Sequence, residues 1–358
     1  MLKEIGSNFW LSSDNDNLTE LDTGIFNAEF DDFVLLSSGR NAISLVLNDI
    51  SDEKKIALLP AFTCDSVIEP FVNCGYQINF YQLLDDMAID KESFVYDLRK
   101  LKPSVILIHN YFGFNTSKSL ISELECIKKQ NRITIIEDIT QTLYSSFSRL
   151  PSDYVVGSFR KWAGIPDGGF ALKQKGLFNK KPDEEDTLLA NEKIKAMKMK
   201  RDFILFNIGK KDDFLRTFVN AEDLLEKQNA LFLMSDFSKK VQANLDISFL
   251  KERRRDNCLF LLSNINNPTI NPLFCSLPND VVPLYFPVFC NGDRTSFQNY
   301  LRDNNIYAPV VWPKSKYVNR ANNCVKHLYN SLICIPCDQR YGREEMEFVV
   351  KIINKWNQ

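Results

Sequence analysis

The chain has 358 residues, 44% of them hydrophobic and 25% charged, with a formal net charge of -2. This is the composition of a folded globular protein. It excludes a disordered charged chain and gives no global basic field for a nucleic-acid partner, although a small anion needs only a local basic pocket. The length exceeds one ordinary core and points to two domains or a large α/β unit with an appendage.

In chain order, Phe33–Leu36 reads as a strand, followed by Ser37-Ser38-Gly39 and a helical stretch over Asn41–Ile50. Ile56–Leu59 is a short apolar run stopped by Pro60, Ser66–Asn73 is helical, and Gln77–Leu83 alternates as a strand does. Val105–Ile108 is a continuous apolar strand, and Lys118–Lys129 carries Leu120, Ile121, Leu124 and Ile127 at helical spacing. Ile133–Ile136 is a buried strand ending in Glu137-Asp138, and Tyr154–Val156 and Gly169–Leu172 are two more. Strands alternating with helix-length segments predict βαβ units in an α/β fold, with a mostly parallel sheet flanked by helices. Ligands sit beyond the C-terminal strand ends of such sheets, where Ser38, His109 and Asp138 fall.

Past the charged, Pro182-containing stretch Lys175–Asp186, the segments Glu185–Arg201 and Asn220–Ala243 read as helices. The charge run Lys251–Asp256 reads as a solvated helix face. Strand signals return at Leu284–Phe289, Ala308–Val311 and Leu332–Ile335, with helices over Thr295–Asp303 and Glu344–Trp356. This divides the chain into a large domain over 1–246, with an N-terminal arm over 1–30, and a smaller C-terminal α/β domain over 247–358.

The nine cysteines are scattered and odd in number, which reads as reduced thiols of a cytoplasmic protein rather than a disulfide framework. Cys334-x-x-Cys337 stands alone and there are only two histidines, so no metal site is expected. Met1–Gly6 lacks the apolar run of a secretory signal, and no window approaches the ~20 apolar residues that cross a bilayer.

Three segments carry possible chemistry. Ser38-Gly39-Arg40-Asn41 opens a helix, whose free N–H groups suit a phosphate; the same residues also read as a plain N-cap. Asp138 ends a buried strand, where a carboxylate needs a partner such as a protonated pyridine nitrogen, or else caps the next turn. Gln141 is placed to reach a neighbouring ring hydroxyl. In Val156–Trp162, Lys161 follows a strand and a tight turn among Phe159, Trp162, Ala163 and Ile165. A lysine desolvated there has a lowered pKa and can form a Schiff base, whereas most lysines are merely solvated. Ser158, three residues earlier, could hold a phosphate, as could Arg160.

The order of these segments resembles the DegT/StrS family of PLP-dependent sugar aminotransferases. Ser38–Ile43 is similar to the family's S-G-T-x-A-L, Leu59–Thr63 to x-P-x-x-T, and Val105–Gly113 to V-H-x-x-G with one extra residue. Glu137–Gln141 matches E-D-x-x-Q, and Ser158–Lys161 is similar to the S-x-x-K form of the Schiff-base turn. Ile306–Pro313 and Ile335–Asp338 resemble the closing segments, and the likeness is weakest over 175–245. The resemblance implies the PLP-dependent transferase fold type I, pyridoxal 5′-phosphate as cofactor, and a homodimer. It implies Asp138 on the ring nitrogen, Gln141 on the 3-hydroxyl, Lys161 as the catalytic Schiff-base lysine, and Ser38, Gly39, Arg40 and Ser158 around the phosphate. The substrates implied are small molecules: an amino donor such as glutamate and a nucleotide-linked keto-sugar. Cys64 stands where the family often has a ring-stacking aromatic, with Phe62 and Tyr111 as alternatives, and Leu143 stands where it has a histidine. A PLP lyase or dehydratase, and a non-catalytic member binding a sugar nucleotide or a partner protein, are the competing readings.

Overall fold

The computed structural model describes residues 4–11, 30–51, 53–130 and 133–357. The arm expected over 1–30 falls largely outside them. The first half runs β1 (Ile5–Gly6), β2 (Asp32–Leu36), α1 (Gly39–Asp49), β3 (Ile56–Pro60), α2 (Asp65–Asn73), β4 (Gln77–Tyr81), α3 (Lys91–Leu101), β5 (Val105–His109), α4 (Ile121–Gln130), β6 (Thr134–Asp138), β7 (Tyr154–Ser158) and β8 (Gly169–Lys173). The second half runs α5 (Thr187–Phe206), α6 (Lys211–Glu226), α7 (Asp236–Ala243), α8 (Ile247–Asn264), β9 (Ile270–Pro272), β10 (Phe286–Cys290), α9 (Arg294–Asp303), β11 (Ile306–Tyr307), α10 (Asn323–Ser331), β12 (Leu332–Ile335) and α11 (Arg343–Asn354).

Seven strands form one sheet in the order β2-β8-β7-β6-β5-β3-β4. Only β8 runs against its neighbours, pairing antiparallel with both β2 and β7. Every residue of β5 and β7 is buried, as expected of strands covered on both faces by helices. That sheet and its helices enclose the largest apolar core. A three-stranded sheet, β12-β10-β9, builds a second core with α8, α9 and α11. β1 pairs in parallel with β11, so the N-terminal segment reaches this second core through Ile5 and Trp10. No helix among the described residues is long and apolar enough to cross a membrane.

Several local expectations shift. The helix expected over Asn220–Ala243 is broken between Glu226 and Asp236. The intervening chain instead lies along the edge strand β2: Ser37 N–H donates to the Phe232 carbonyl, and Met234 N–H to the Leu35 carbonyl at 3.2 Å. Satisfying an open sheet edge outweighs helix propensity there. The strand expected over Ala308–Val311 is reduced to Ile306–Tyr307, two residues earlier. Helices α3 and α10 carry only a few buried positions each, Phe94 and Asp97 in the first and Val325, Leu328 and Tyr329 in the second. The charge run in α8 is not wholly a solvated face. Arg254 is fully buried, and its guanidinium donates to the carbonyls of Trp162, Pro283 and Leu284 and to Gln339. Cys334 and Cys337 are buried around the end of β12, where burial pushes both thiols up and away from the reactive thiolate form.

Candidate active site

The strand order brings the three segments to one edge of the sheet. β5, β6 and β7 are adjacent and parallel, with His109 opposite Asp138 and Asp138 opposite Val156. Lys161 ends the short 3₁₀ turn Phe159–Lys161 that follows β7 directly. Asp138 and Lys161 therefore leave neighbouring strands at the same C-terminal end. Across one strand spacing and two residues along, Asp138 and Ser158 backbones stand roughly 8 Å apart. On the other side of β7, Ser38-Gly39 packs onto β7 and β8. A side chain at Gly39 would lie 3.5 Å from Ser158 Cβ, and one at Gly169 would meet the Ser38 carbonyl carbon at 2.3 Å. Position 169 must be glycine for this approach.

Asp138 is buried, and Oδ1 accepts the Thr140 N–H at 2.8 Å. One oxygen thus caps the turn after β6. Behind it, burial lowers the His109 pKa although the Asp138 carboxylate opposes this. His109 stacks on Trp312 at 5.8 Å, and its Nε2 lies 3.0 Å from the Tyr111 hydroxyl. Phe62 and Tyr111 are both fully buried in this aromatic cluster, whereas Cys64 is partly exposed at the start of α2. Gln141 is buried, and its Oε1 accepts the Phe112 N–H at 2.7 Å while Nε2 has no hydrogen-bond partner.

Lys161 opens onto a cleft of about 530 Å³ walled by the N-terminal segment Gly6–Phe9, helices α5 and α6, and the chain around Ala308 and Pro336–Arg340. Ser38, Asp138 and Gln141 do not line this cleft. Lys161 as a residue is solvent-exposed, yet the protein around its amine lowers the Lys161 pKa, the Arg160 guanidinium lowers it further, and Cys64 and Glu222 oppose both. Its neighbour Trp162 is fixed by donating Nε1–H to the Thr140 carbonyl at 2.7 Å, tying the lysine turn to the Asp138 turn.

At the start of α1, Ser38 Oγ accepts from Asn41 N–H at 3.1 Å, and Ala42 N–H goes to the Ser38 carbonyl. The amides of Gly39 and Arg40 are the helix's leftover donors, and the Ser38 hydroxyl hydrogen is free to donate. The Arg40 guanidinium is ion-paired with Glu69 at 3.2 Å and donates to the Leu225 carbonyl, so Arg40 offers the edge its backbone. Ser158 Oγ donates to the Gly168 carbonyl at 3.2 Å. The set fits PLP in kind: a strand-end carboxylate, a buried amide donor lacking an acceptor, first-turn N–H groups for a phosphate, and an amine of lowered pKa.

Sequence reasoning missed the far wall of the cleft. Lys193 on α5 and Glu222 on α6 lie in the stretch that resembles the family least. Arg160 ion-pairs with Glu222 at 3.1 Å, and Lys193 pairs with the same carboxylate oxygen. Their only sequence signal is the presence of charged residues on two helices packed together.

No protein-family profile matches the sequence, and no curated protein does. Solved structures do. The chain superposes on Helicobacter pylori PseC, an aminotransferase involved in the biosynthesis of pseudoaminic acid, with a TM-score of 0.69 at 15% identity over 99% of both chains. The putative sugar aminotransferase Spr1654 of Streptococcus pneumoniae, in its PLP form, matches with a TM-score of 0.69 at 15% identity over 98% of both chains. The sugar aminotransferase CalS13 of Micromonospora echinospora matches with 0.65 at 15% identity, over 90% of this chain and 87% of that one. The chain has the fold of these proteins, the fold type I expected from the sequence.

Proposed function

We propose that the chain is a PLP-dependent aminotransferase of the DegT/StrS type. It moves an amino group from an amino-acid donor, glutamate by the resemblance, to a nucleotide-linked keto-sugar, with Lys161 as the covalent anchor of the cofactor. The same reading makes it a cytoplasmic homodimer whose amino-sugar product enters a polysaccharide. The observation that carries it is that Asp138 and Lys161 leave adjacent parallel strands at one end, while Gln141, three residues past Asp138, is buried with its Nε2 unpartnered. Full-length likeness to sugar aminotransferases supports it.

When bound, PLP supplies an electron sink for charge developing beside the migrating amine. The chain's own residues do the rest. Asp138 holds the proton on the pyridine nitrogen, and Gln141 Nε2 donates to the ring hydroxyl. The Gly39 and Arg40 amides, with the Ser38 hydroxyl and Ser158, receive the phosphate at the positive end of α1. A lowered pKa makes the free amine of Lys161 easier to reach, and from its turn beside the strand end Lys161 Nζ can take a proton from one substrate carbon and return it.

An absorbance scan of the purified protein with added PLP tests this. A band near ~420 nm that borohydride abolishes is expected, absent from Lys161→Ala. Exposure to candidate amino acids should then bleach the band, and keto-sugar nucleotides should restore it. A protein with no band at saturating PLP, or a Lys161→Ala variant with undiminished turnover, would sink the proposal. The first result would favour the non-catalytic binding reading.

A further inference from the structure

Besides Lys161, the cleft presents Arg160, Lys193, Arg254, Arg302 and Arg340 against the carboxylates of Glu222 and Asp338. Two of these cations are already committed. Arg340 pairs with Asp338 at 2.7 Å, and Arg254 is spent on backbone carbonyls and Gln339. Arg160 and Lys193 are different, because they converge on one Glu222 oxygen from two separate elements. Lys193 is buried, with its side chain 6% exposed, whereas the Glu222 side chain is 50% exposed. The cations are built into the wall and the anion is the removable partner. Burial raises the Glu222 pKa, but Arg160 and Lys193 outweigh it and hold the carboxylate ionised. Lys161 also lies within electrostatic reach of Glu222 and Lys193.

We propose that Arg160 and Lys193 form the receptor for an acidic group carried by the substrate that reacts at Lys161, and that Glu222 occupies the receptor as an internal stand-in until that group displaces it. The ligand chemistry is a carboxylate or a phosphate at the end of the substrate remote from the reacting centre. Two converging cations suit either, and charge-assisted bonds in a partly desolvated cleft are the strong kind. Displaced Glu222 can turn to water, since its side chain is half exposed. This inference rests on the proposed function for its reacting lysine, and its test is chosen to fail separately.

The protein loaded with PLP is titrated calorimetrically with glutarate, which has no reacting carbonyl, and separately with inorganic pyrophosphate. Arg160→Gln and Lys193→Gln should each weaken binding about tenfold, while Glu222→Gln should tighten it about tenfold by removing the competing anion. The opposite sign at Glu222 is the decisive readout, because a merely structural network would weaken in all three variants. Whichever of the two probes follows this pattern identifies the acidic group as carboxylate or phosphate. If all three variants weaken binding, or neither probe binds, the receptor assignment is overturned. A ~420 nm band retained in that case leaves the proposed function standing, whereas loss of the band in the unmodified protein removes the larger reading first.

Discussion

The wall of the cleft nearest the N-terminus depends on a buried charge cluster, and removing one member should destabilise the protein more than removing two. Glu4 is 2% exposed and pairs with Lys200 at 2.8 Å and Lys211 at 2.7 Å. Lys200 is fully buried and otherwise donates to the Asn8 carbonyl at 2.6 Å, while Lys211 is a third exposed and also donates to the Tyr307 hydroxyl. Glu4→Gln leaves the Lys200 ammonium buried without a counter-charge, which should cost about 3–5 kcal/mol. Lys200→Met removes that charge instead. The Trp10 and Phe214 rings, which the ammonium approaches to 5.7 and 5.9 Å, give the new side chain apolar neighbours, and Glu4 keeps Lys211. That change should cost about 1–2 kcal/mol. The double variant strands only Lys211, which can reach water, so it should be at least about 2 kcal/mol more stable than Glu4→Gln alone. Urea unfolding at neutral pH, followed by tryptophan fluorescence, measures all four corners of the cycle. A double variant as unstable as the sum of the singles would refute the view that the isolated Lys200 charge dominates.

Asp138→Asn should leave the fold intact and lower turnover by orders of magnitude, because the ring nitrogen loses its charged partner; unfolding of this variant with PLP fully bound would assign Asp138 to the turn cap alone. Glu137 is buried beside Asp138, and burial raises its pKa to about 7 from 4.5. The folded protein therefore binds the extra proton between those values, and stability should fall as pH rises from 4.5 through about 7. Glu137→Gln should remove that slope, adding about 1–3 kcal/mol at pH 8 and nothing near pH 4, in parallel denaturation series; a gain at both pH values would contradict the linkage. Among the thiols, exposed Cys126 and Cys275 should react with a thiol reagent in the native protein, while buried Cys334 and Cys337 should wait for unfolding. Peptide mapping of the labelled sites decides it.

The central strands were legible because a fully buried parallel strand such as Val105–His109 must be nearly all apolar, and the apolar pair Ile135-Ile136 marks its neighbour; their polar ends then mark the C-terminal side of the sheet. Asp138 and Gln141 stand out in the sequence because they place polar groups where the chain is otherwise buried. The residues facing Lys161 do not. Lys193 and Glu222 sit on helices whose charged positions look like any solvated face, and Arg254 looked solvated for the same reason. Their partners lie tens of residues away, and only the packing of α5 and α6 against the lysine turn brings the charges together. Local sequence determined which segments become strands and where their polar ends fall, because burial acts on each residue in place. Tertiary structure alone decided which charges face one another across the cleft, because pairing depends on distances that no stretch of chain contains.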